Sequence, residues 1–381
     1  MRASKKRRSA SVADLNRTSV DVKFLADNRC NLLIICGFIC PHCTPSGSLV
    51  RCRTVTDELF YAQTADGHAL AIHYYPGVPH RFRHPVVMLH GLAANRLNLD
   101  IDDRHSVARA AQERGFDVYL VELRGAGLSR RPAEEARANR PWGFGDHLSG
   151  DLPAILAAIA DRTEGRPFHA FGHSMGGMVW MAFATTRPRE LRSLTTVGTP
   201  LVGKLKLQTR ERRLLGLARR VAPTQALKMV PVKKVLFAAG SVISLSAKLA
   251  DGILLNARNT DDDVMARMAK EGVNDVPLQL ILELEAKMRG TAGAADPFAY
   301  ESKLEEVMAP VLLLSGSIDR IAPKEAVLAL SRELRSKDVR YREMGLASGE
   351  RTDYGHGDLL VGRTAPDEIF PVLLDFIEEM D

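Results

Sequence analysis

Cysteine is missing from most of this sequence. All five cysteines among the 381 residues lie between Cys30 and Cys52, so we expect the fold of the long remainder not to depend on disulfides. The segment Cys40-Pro41-His42-Cys43 has the C-x-x-C spacing of thiol oxidoreductases. No βαβ pattern surrounds it, which favours an irregular leader over a redox or zinc site.

Long hydrophobic runs are also missing. The longest candidate, Leu32 to Cys40, reaches about half of the roughly 18 apolar residues that a membrane-spanning helix needs. Basic residues at Lys5 to Arg8 followed by an apolar stretch imitate a secretion signal, but the charged region is too long and no small-residue cleavage site follows. We therefore expect a cytoplasmic protein. Alternatively, translation begins near Val50, and the residues before it are not part of the protein.

Net positive charge is missing outside two segments. Residues 1–53 carry ten Lys and Arg against three Asp, and residues 202–234 carry ten against Glu211 alone. The rest of the chain is net acidic, although the whole has a formal charge of +6. The two basic segments could lie against an anionic membrane surface or hold acidic substrate near a site. Solvated charge on a tail and a lid is the simpler interpretation, and no nucleic-acid partner is expected.

Short apolar runs alternate with amphipathic stretches from Thr54 onward. This pattern is typical of an α/β protein with a mostly parallel, doubly wound sheet and helices on both faces. The predicted strands are 69–75, 85–90, 117–122, 168–173, 193–198, 310–315 and 339–343. The predicted helices are 104–114, 149–162, 175–187, 323–336 and 366–380.

The alternation stops between Pro200 and Pro310. This interval is rich in Leu, Ala, Lys and Arg, and we predict that residues 202–305 form a helical cap inserted after the sixth strand. Such a cap would overhang the carboxyl ends of the strands, where ligands bind in open α/β sheets. The predicted organisation is completed by the core at 54–201 and 306–381 and by a basic, Cys-containing, poorly ordered leader at 1–53.

One motif joins a predicted strand to a predicted helix. Gly172-His173-Ser174-Met175-Gly176 has the G-x-S-x-G pattern of a nucleophile elbow, a turn so tight that its flanking positions must be nearly free of side chain. Gly172 and Gly176 meet that demand. Ser174 is therefore the candidate nucleophile.

A serine hydroxyl needs a base and a carboxylate that orients the base. These partners follow the elbow serine in the order Asp, His, and the sequence offers Asp319 after a strongly apolar strand and His356 in the loop before the last helices. Both are predicted to lie at the carboxyl edge of the sheet. Other positions offer alternatives: His173 as a packed neighbour, His90 as a shaper of a loop, Asp353 or Asp358 as the partner of His356, and Glu122 either in a second acidic role or in a salt bridge to Arg124.

Acyl transfer also needs N–H donors for the negatively charged oxygen of a tetrahedral intermediate. Met175, directly after the nucleophile, is one candidate. The second is Leu92, in the segment His90-Gly91-Leu92-Ala93, where glycine lets the backbone turn inward.

Together these elements resemble the α/β-hydrolase superfamily. Segments such as Arg124-Gly125, Asp151-Leu152-Pro153-Ala154 and His356-Gly357-Asp358-Leu359-Leu360 are similar to the acid lipase and cholesteryl ester hydrolase branch and to related polyester synthase-like bacterial hydrolases. Those synthases use a cysteine nucleophile, whereas this chain has Ser174, which favours hydrolysis.

The resemblance implies a serine hydrolase that cleaves carboxylic esters of lipophilic alcohols or acids through Ser174, His356 and Asp319. No metal or organic cofactor is expected, and the expected partner is a small-molecule ester. A peptidase or acyltransferase with the same triad is one alternative. A non-catalytic binding module with a hydrolase fold, carried to anionic membranes by its basic segments, is another.

Overall fold

A computed structural model describes residues 57–134, 140–187, 189–205, 228–232 and 255–381. One eight-stranded sheet organises them, in the order β1-β2-β4-β3-β5-β6-β9-β10. Strands β1 and β2 and strands β2 and β4 pair antiparallel, and all other neighbours are parallel. The eight strands of this sheet are β1 Glu58–Gln63, β2 Ala69–Tyr75, β3 Val86–Leu89, β4 Val118–Val121, β5 Phe168–His173, β6 Leu191–Val197, β9 Val311–Gly316 and β10 Val339–Met344. The short strands β7 Met229–Val230 and β8 Val276–Pro277 form a separate antiparallel pair.

Helices connect the strands. The α-helices are Val107–Arg114, Phe144–Asp146, Leu152–Thr163, Met175–Ala184, Asp262–Arg267, Leu278–Met288, Lys324–Glu333, Asp358–Val361, Ala365–Glu368 and Phe370–Met380. Shorter 3-10 and π-helical turns occur at Arg96–Asn98, His147–Asp151, Val202–Lys204, Ala257–Asn259, Met268–Gly272, Ala299–Glu306 and Leu346–Ser348.

Both faces of the central strands are buried. Val87 and Leu89 of β3 belong to one apolar cluster, whereas Val86 and Met88 belong to the other, because successive side chains of a strand point to opposite faces. The helix Met175–Ala184 packs in the first cluster and the helix Phe370–Met380 in the second. Continuous apolar strands covered on both faces are typical of parallel sheets, and this architecture confirms the predicted fold class.

The predicted strands match the observed ones to within two residues at each end. The short strands β7 and β8 lie inside the predicted helical cap and were missed, and so was β1. It is an edge strand with mixed burial, and its antiparallel pairing with β2 leaves no long apolar run in the sequence. The helix predicted at 366–380 is divided into Ala365–Glu368 and Phe370–Met380. Pro371 lies in the first turn of the second helix, where its missing N–H interrupts a continuous helical ladder.

The interval between β6 and β9 holds the helices, turns and short β7–β8 pair given above, as far as its residues are described. The predicted leader at 1–53 with its C-x-x-C segment and much of the basic part of the predicted cap, 206–227 and 233–254, lie outside the described residues. Within the described ranges, no helix is long and apolar enough to cross a bilayer.

Candidate active site

Ser174 lies between β5 and the helix Met175–Ala184, in a backbone conformation that side chains rarely adopt (φ 53°, ψ −116°). The turn is closely packed. A Cβ atom at Gly172 would lie 2.4 Å from the Gly177 nitrogen, and one at Gly176 would lie 2.4 Å from the Leu89 oxygen. Neighbouring backbone atoms therefore leave no room for a side chain at either position, as the motif predicts. The strained backbone conformation of the turn lies at the serine.

The backbone of Ser174 is fixed from several sides. Its N–H donates to the Val197 oxygen of the neighbouring strand at 2.8 Å, and its carbonyl accepts from Gly177 N at 3.0 Å. The Thr199 hydroxyl donates to the same carbonyl at 3.1 Å. These contacts hold the serine at the carboxyl edge of the sheet.

Asp319 and His356 form a close pair at this edge. Asp319 follows β9, and its Oδ2 lies 2.7 Å from Nδ1 of His356. Its other oxygen accepts the N–H groups of Ile321 and Ala322, both at 2.8 Å. Because the carboxylate can only accept, the imidazole presents its proton on Nδ1, and Nε2 keeps a lone pair.

The His356 imidazole lies beside the strand that supports the elbow. Gly198 follows β6 with φ +58°, and a Cβ there would lie 3.1 Å from the His356 ring and 3.4 Å from Asp319 Oδ2. The preceding residue, Val197, accepts the Ser174 N–H. Ser174 Oγ and His356 Nε2 make no direct hydrogen bond in this structure. The site thus brings Asp319 and His356 together and holds Ser174 next to them, without a serine–histidine hydrogen bond.

The other carboxylates near His356 have different partners. Asp353 accepts from the Ser317 hydroxyl at 2.8 Å. Asp358 accepts from the backbone N–H groups of Asn256 at 2.8 Å and Gly355 at 3.0 Å, and burial raises its pKa to about 6. Neither carboxylate contacts the His356 imidazole, so Asp319 is the carboxylate that pairs with it.

His173 and His90 have structural contacts on both ring nitrogens. His173 has Nδ1 at 2.7 Å from Asn98 Oδ1 and Nε2 at 3.2 Å from the His356 oxygen. Burial, with a smaller effect of His356, lowers the pKa of His173 well below its usual value. His90 Nδ1 lies 2.8 Å from the Gly91 oxygen, and its Nε2 accepts the Leu123 N–H at 3.1 Å.

The loop after β3 approaches the serine closely. A Cβ at Gly91 would lie 3.2 Å from the Ser174 Cβ, and the Gly91 N–H donates to Asn98 Oδ1 at 3.1 Å. Among the described residues, neither the Leu92 N–H nor the Met175 N–H has an acceptor. Asn98 was missed by sequence reasoning, because nothing local links it to Gly91 and His173.

A small cavity adjoins these two N–H groups. It has about 20 Å³ of room for the centre of a water molecule, and its lining includes Leu92 and Met175. Apolar side chains of Ala126, Trp142 and Leu280 also line it. A group entering here would meet a mostly apolar surface beside Met175, the residue that follows Ser174.

The salt bridge weighed between Glu122 and Arg124 is not formed. Glu122 lies 3.2 Å from His73 Nε2 and accepts backbone N–H groups on both oxygens. Burial opposes ionisation of Glu122, but these hydrogen bonds hold its pKa below the usual value. Arg124 instead pairs with Asp151 at 2.7 Å and with Asp66 at 2.9 Å, two carboxylates that are distant in sequence.

A second Ser-His-Asp arrangement lies elsewhere in the sheet. Ser193 Oγ is 2.8 Å from Nδ1 of His169, and His169 Nε2 is 3.2 Å from Asp381. His169 and Asp381 also form a group with His84, the one group in the described ranges whose ligand atoms are close enough to hold a metal ion. Ser193 and His169 are completely buried, so no substrate reaches this serine.

Comparison with known proteins places the chain in a family. Residues 84–347 match the family model described as alpha/beta hydrolase fold. Triacylglycerol lipase 2 of Arabidopsis thaliana is 24% identical over 335 residues, which cover 78% of this chain and 77% of that protein. Lipase member K of Homo sapiens is 28% identical over 175 residues, covering 43% of this chain and 44% of the relative.

A solved structure shares the architecture. The monoacylglycerol lipase of Paleococcus ferrophilus superimposes with a TM-score of 0.55 at 20% identity, covering 82% of this chain and 99% of that one. At this identity the likeness concerns the fold. With the family match over most of its length, the chain belongs to the α/β-hydrolase fold family and is a lipase- and esterase-like hydrolase of that family.

Proposed function

We propose that this protein cleaves carboxylic esters through Ser174, His356 and Asp319, and that its substrates are lipophilic. The observation that carries the proposal is the 2.7 Å pair of Asp319 and His356 at the same sheet edge as a serine on a strained, glycine-flanked turn. This combination supplies an oriented base beside a nucleophile that is held clear of its own strand.

In the first half of the reaction, Ser174 Oγ attacks the carbonyl carbon of the ester and its proton moves to His356 Nε2. Rotation of the serine side chain brings the two atoms into contact when substrate binds, since such hydrogen bonds tighten in the reacting complex. The carbonyl oxygen takes up the negative charge. The Leu92 and Met175 N–H groups, which have no other acceptor among the described residues, stabilise it.

Collapse of this intermediate breaks the bond to the alcohol, which leaves with the proton from His356. Water then attacks the acyl-enzyme, gives a proton to His356, and the second intermediate releases the acid and restores the Ser174 hydroxyl. Asp319 stabilises the imidazolium in both halves and keeps its ring oriented. No step requires a cofactor.

The lipophilic substrate is supported by the apolar side chains found around Leu92 and Met175, among them Ala126, Trp142 and Leu280. The names of the relatives, triacylglycerol lipase and lipase, agree with it. A chain-length series of p-nitrophenyl esters tests this part of the proposal. We expect kcat/KM to rise with acyl length, and a constant or falling value would contradict a lipophilic substrate.

A fluorophosphonate probe tests the nucleophile. We expect stoichiometric labelling that peptide mapping assigns to Ser174, and a matched Ser193→Ala protein should label equally. Protection by lipid esters supports the proposal. Preferential protection by peptides or acyl-CoA would favour a peptidase or acyltransferase, and absence of labelling together with salt-sensitive binding to anionic liposomes would favour a non-catalytic membrane-binding module.

A further inference from the structure

A second histidine–carboxylate pair adjoins the candidate active site. His147 is buried in the π-helical turn His147–Asp151, and its Nδ1 lies 2.8 Å from Asp151 Oδ2. The other oxygen of Asp151 accepts the Arg124 Nε–H at 2.7 Å. A neutral imidazole in this setting holds its proton on Nδ1, toward the carboxylate, and presents a lone pair at Nε2.

That lone pair is buried without a partner. Among the described residues, His147 Nε2 makes no hydrogen bond, and the same is true of Nδ2 of Asn274. The orientation of the Asn274 amide is set by its oxygen, which accepts the Gly127 N–H at 3.1 Å. Buried polar atoms are nearly always paired in folded proteins, so two such atoms on residues that line the same cavity require an explanation.

Both residues line the cavity that also contains Leu92 and Met175. Its room of about 20 Å³ for the centre of a water molecule accommodates one small polar group. His90, another lining residue, has both ring nitrogens occupied. Among the buried side-chain atoms of the lining residues, His147 Nε2 and Asn274 Nδ2 have no hydrogen-bond partner within the described part of the chain, in addition to the N–H groups of Leu92 and Met175.

We propose that this cavity is a subsite for a hydroxyl group of the substrate, which donates to His147 Nε2 and accepts from Asn274 Nδ2. A hydroxyl group is small enough for this room and can donate and accept at once. An ether or a plain alkyl chain would leave the acceptor unpaired. The inference rests on the proposed esterase function and narrows its substrates to esters that carry a free hydroxyl.

The hydroxyl could belong to the acyl chain or to the alcohol, and the experiment separates these sources. In the acyl arm, hydrolysis of methyl hexanoate is compared by pH-stat titration with that of methyl hexanoates hydroxylated at carbons 2 to 6. In the alcohol arm, propyl hexanoate is compared with 1-monohexanoylglycerol. We expect kcat/KM for the hydroxylated ester to exceed that of its plain counterpart by about tenfold in one arm.

His147→Asn tests the residue. The asparagine amide can replace Nδ1 as the donor to Asp151 while removing the group at Nε2, and we expect the ratio of kcat/KM values to fall to near 1. Asn274→Asp is the second variant, because it keeps an oxygen for the Gly127 N–H and removes the Nδ2 donor. It should lower the ratio as well, even if the first variant does not fold.

His105→Asn is the matched control. His105 also has Nδ1 near a carboxylate, at 3.0 Å from Asp102, and an unpartnered buried Nε2 within the described residues, but it does not line this cavity. We expect it to keep the full ratio.

A wild-type ratio of 1 or less in both arms would overturn the subsite, as would equal loss of the ratio in His105→Asn. If hydrolysis of the plain esters requires Ser174, such a result leaves the proposed function standing. Hydrolysis that persists in Ser174→Ala would instead overturn the proposed function itself.

Discussion

Two Ser-His-Asp arrangements in this protein share a hydrogen-bonded histidine–aspartate pair but differ in how the serine is held. Ser193, His169 and Asp381 are joined by hydrogen bonds of 2.8 and 3.2 Å, whereas Ser174 makes no direct hydrogen bond to His356. Counting hydrogen bonds alone would favour Ser193 over the proposed nucleophile, Ser174.

Position in the fold separates the two. Ser193 lies within β6, opposite His169 on β5, where it is completely buried. Ser174 lies just past the carboxyl end of β5 on a strained turn, and the residue after it lines a cavity. Ser174 is 6% exposed and Ser193 is 0% exposed, and a nucleophile also needs N–H donors for the developing oxyanion, which the sheet edge offers at Leu92 and Met175.

The largest effect on kcat is expected when the two serines are replaced. Ser174→Ala should lower kcat for p-nitrophenyl esters by about 10⁴-fold to 10⁶-fold, because it removes the nucleophile. Ser193→Ala should leave kcat nearly unchanged. Steady-state kinetics on both purified variants, with circular dichroism to verify folding, measures the difference. Comparable losses in both would contradict the assignment.

The two carboxylates should differ almost as strongly. Asp319→Asn keeps an oxygen for the Ile321 and Ala322 N–H groups but no longer fixes the proton on His356 Nδ1, so kcat should fall by about 10³-fold to 10⁴-fold. Asp381→Asn should have little effect on kcat. If Asp353 or Asp358 were the true partner of His356, Asp319→Asn would retain most of the activity.

A smaller effect is expected at the glycine beside the His356 ring. Gly198→Ala places a Cβ 3.1 Å from the imidazole, and displacement of the ring should lower kcat by about 10-fold to 100-fold. Gly165→Ala is its control, since Gly165 has a similar φ of +67° but no atom within 4 Å of the added Cβ. Gly165→Ala should lose stability and keep kcat; equal kcat values for the two variants would show that the His356 position is not critical.

The smallest effect concerns stability in the buried arrangement. Burial opposes ionisation of Asp381, but hydrogen bonds from His169, His84 and the backbone hold its pKa below the usual value. A lowered carboxyl pKa contributes stability above the unfolded value of about 3.9 and loses it as the pH falls toward the folded value. Asp381→Asn should therefore be about 1 kcal/mol less stable than wild type at pH 7, measured by urea unfolding. The difference should shrink below about pH 4, and a constant difference down to pH 2 would contradict this role.

Much of the candidate site around Ser174 could be predicted from the sequence because its signals are local. Ser174 lies in a five-residue motif, and Asp319 and His356 follow apolar strands whose carboxyl ends meet at one edge of the sheet. The glycines of the elbow could be predicted as well, since contact leaves no room for a side chain at Gly172 or Gly176.

The polar contacts across the fold could not be predicted. Asn98 forms a hydrogen bond with the imidazole of His173, which lies 75 residues further along the chain. Arg124 forms salt bridges with Asp66 and Asp151 and none with Glu122, its near neighbour in sequence. His147 and Asn274 share one cavity from opposite sides of the predicted cap boundary. Such pairs depend on how strands and insertions are placed in three dimensions, and no spacing or periodicity in the chain records that placement.

The central claim is that the Ser174 hydroxyl, the His356 imidazole and the N–H groups of Leu92 and Met175 act on one carbonyl group. A crystal structure of the protein inactivated with an alkyl phosphonate tests it most directly. We expect phosphorus bonded to Ser174 Oγ, a phosphonyl oxygen within hydrogen-bond distance of both N–H groups, and His356 Nε2 in contact with Ser174 Oγ or the phosphonate. Phosphorus on another residue, or an adduct on Ser174 whose oxygen points away from both N–H groups, would contradict it.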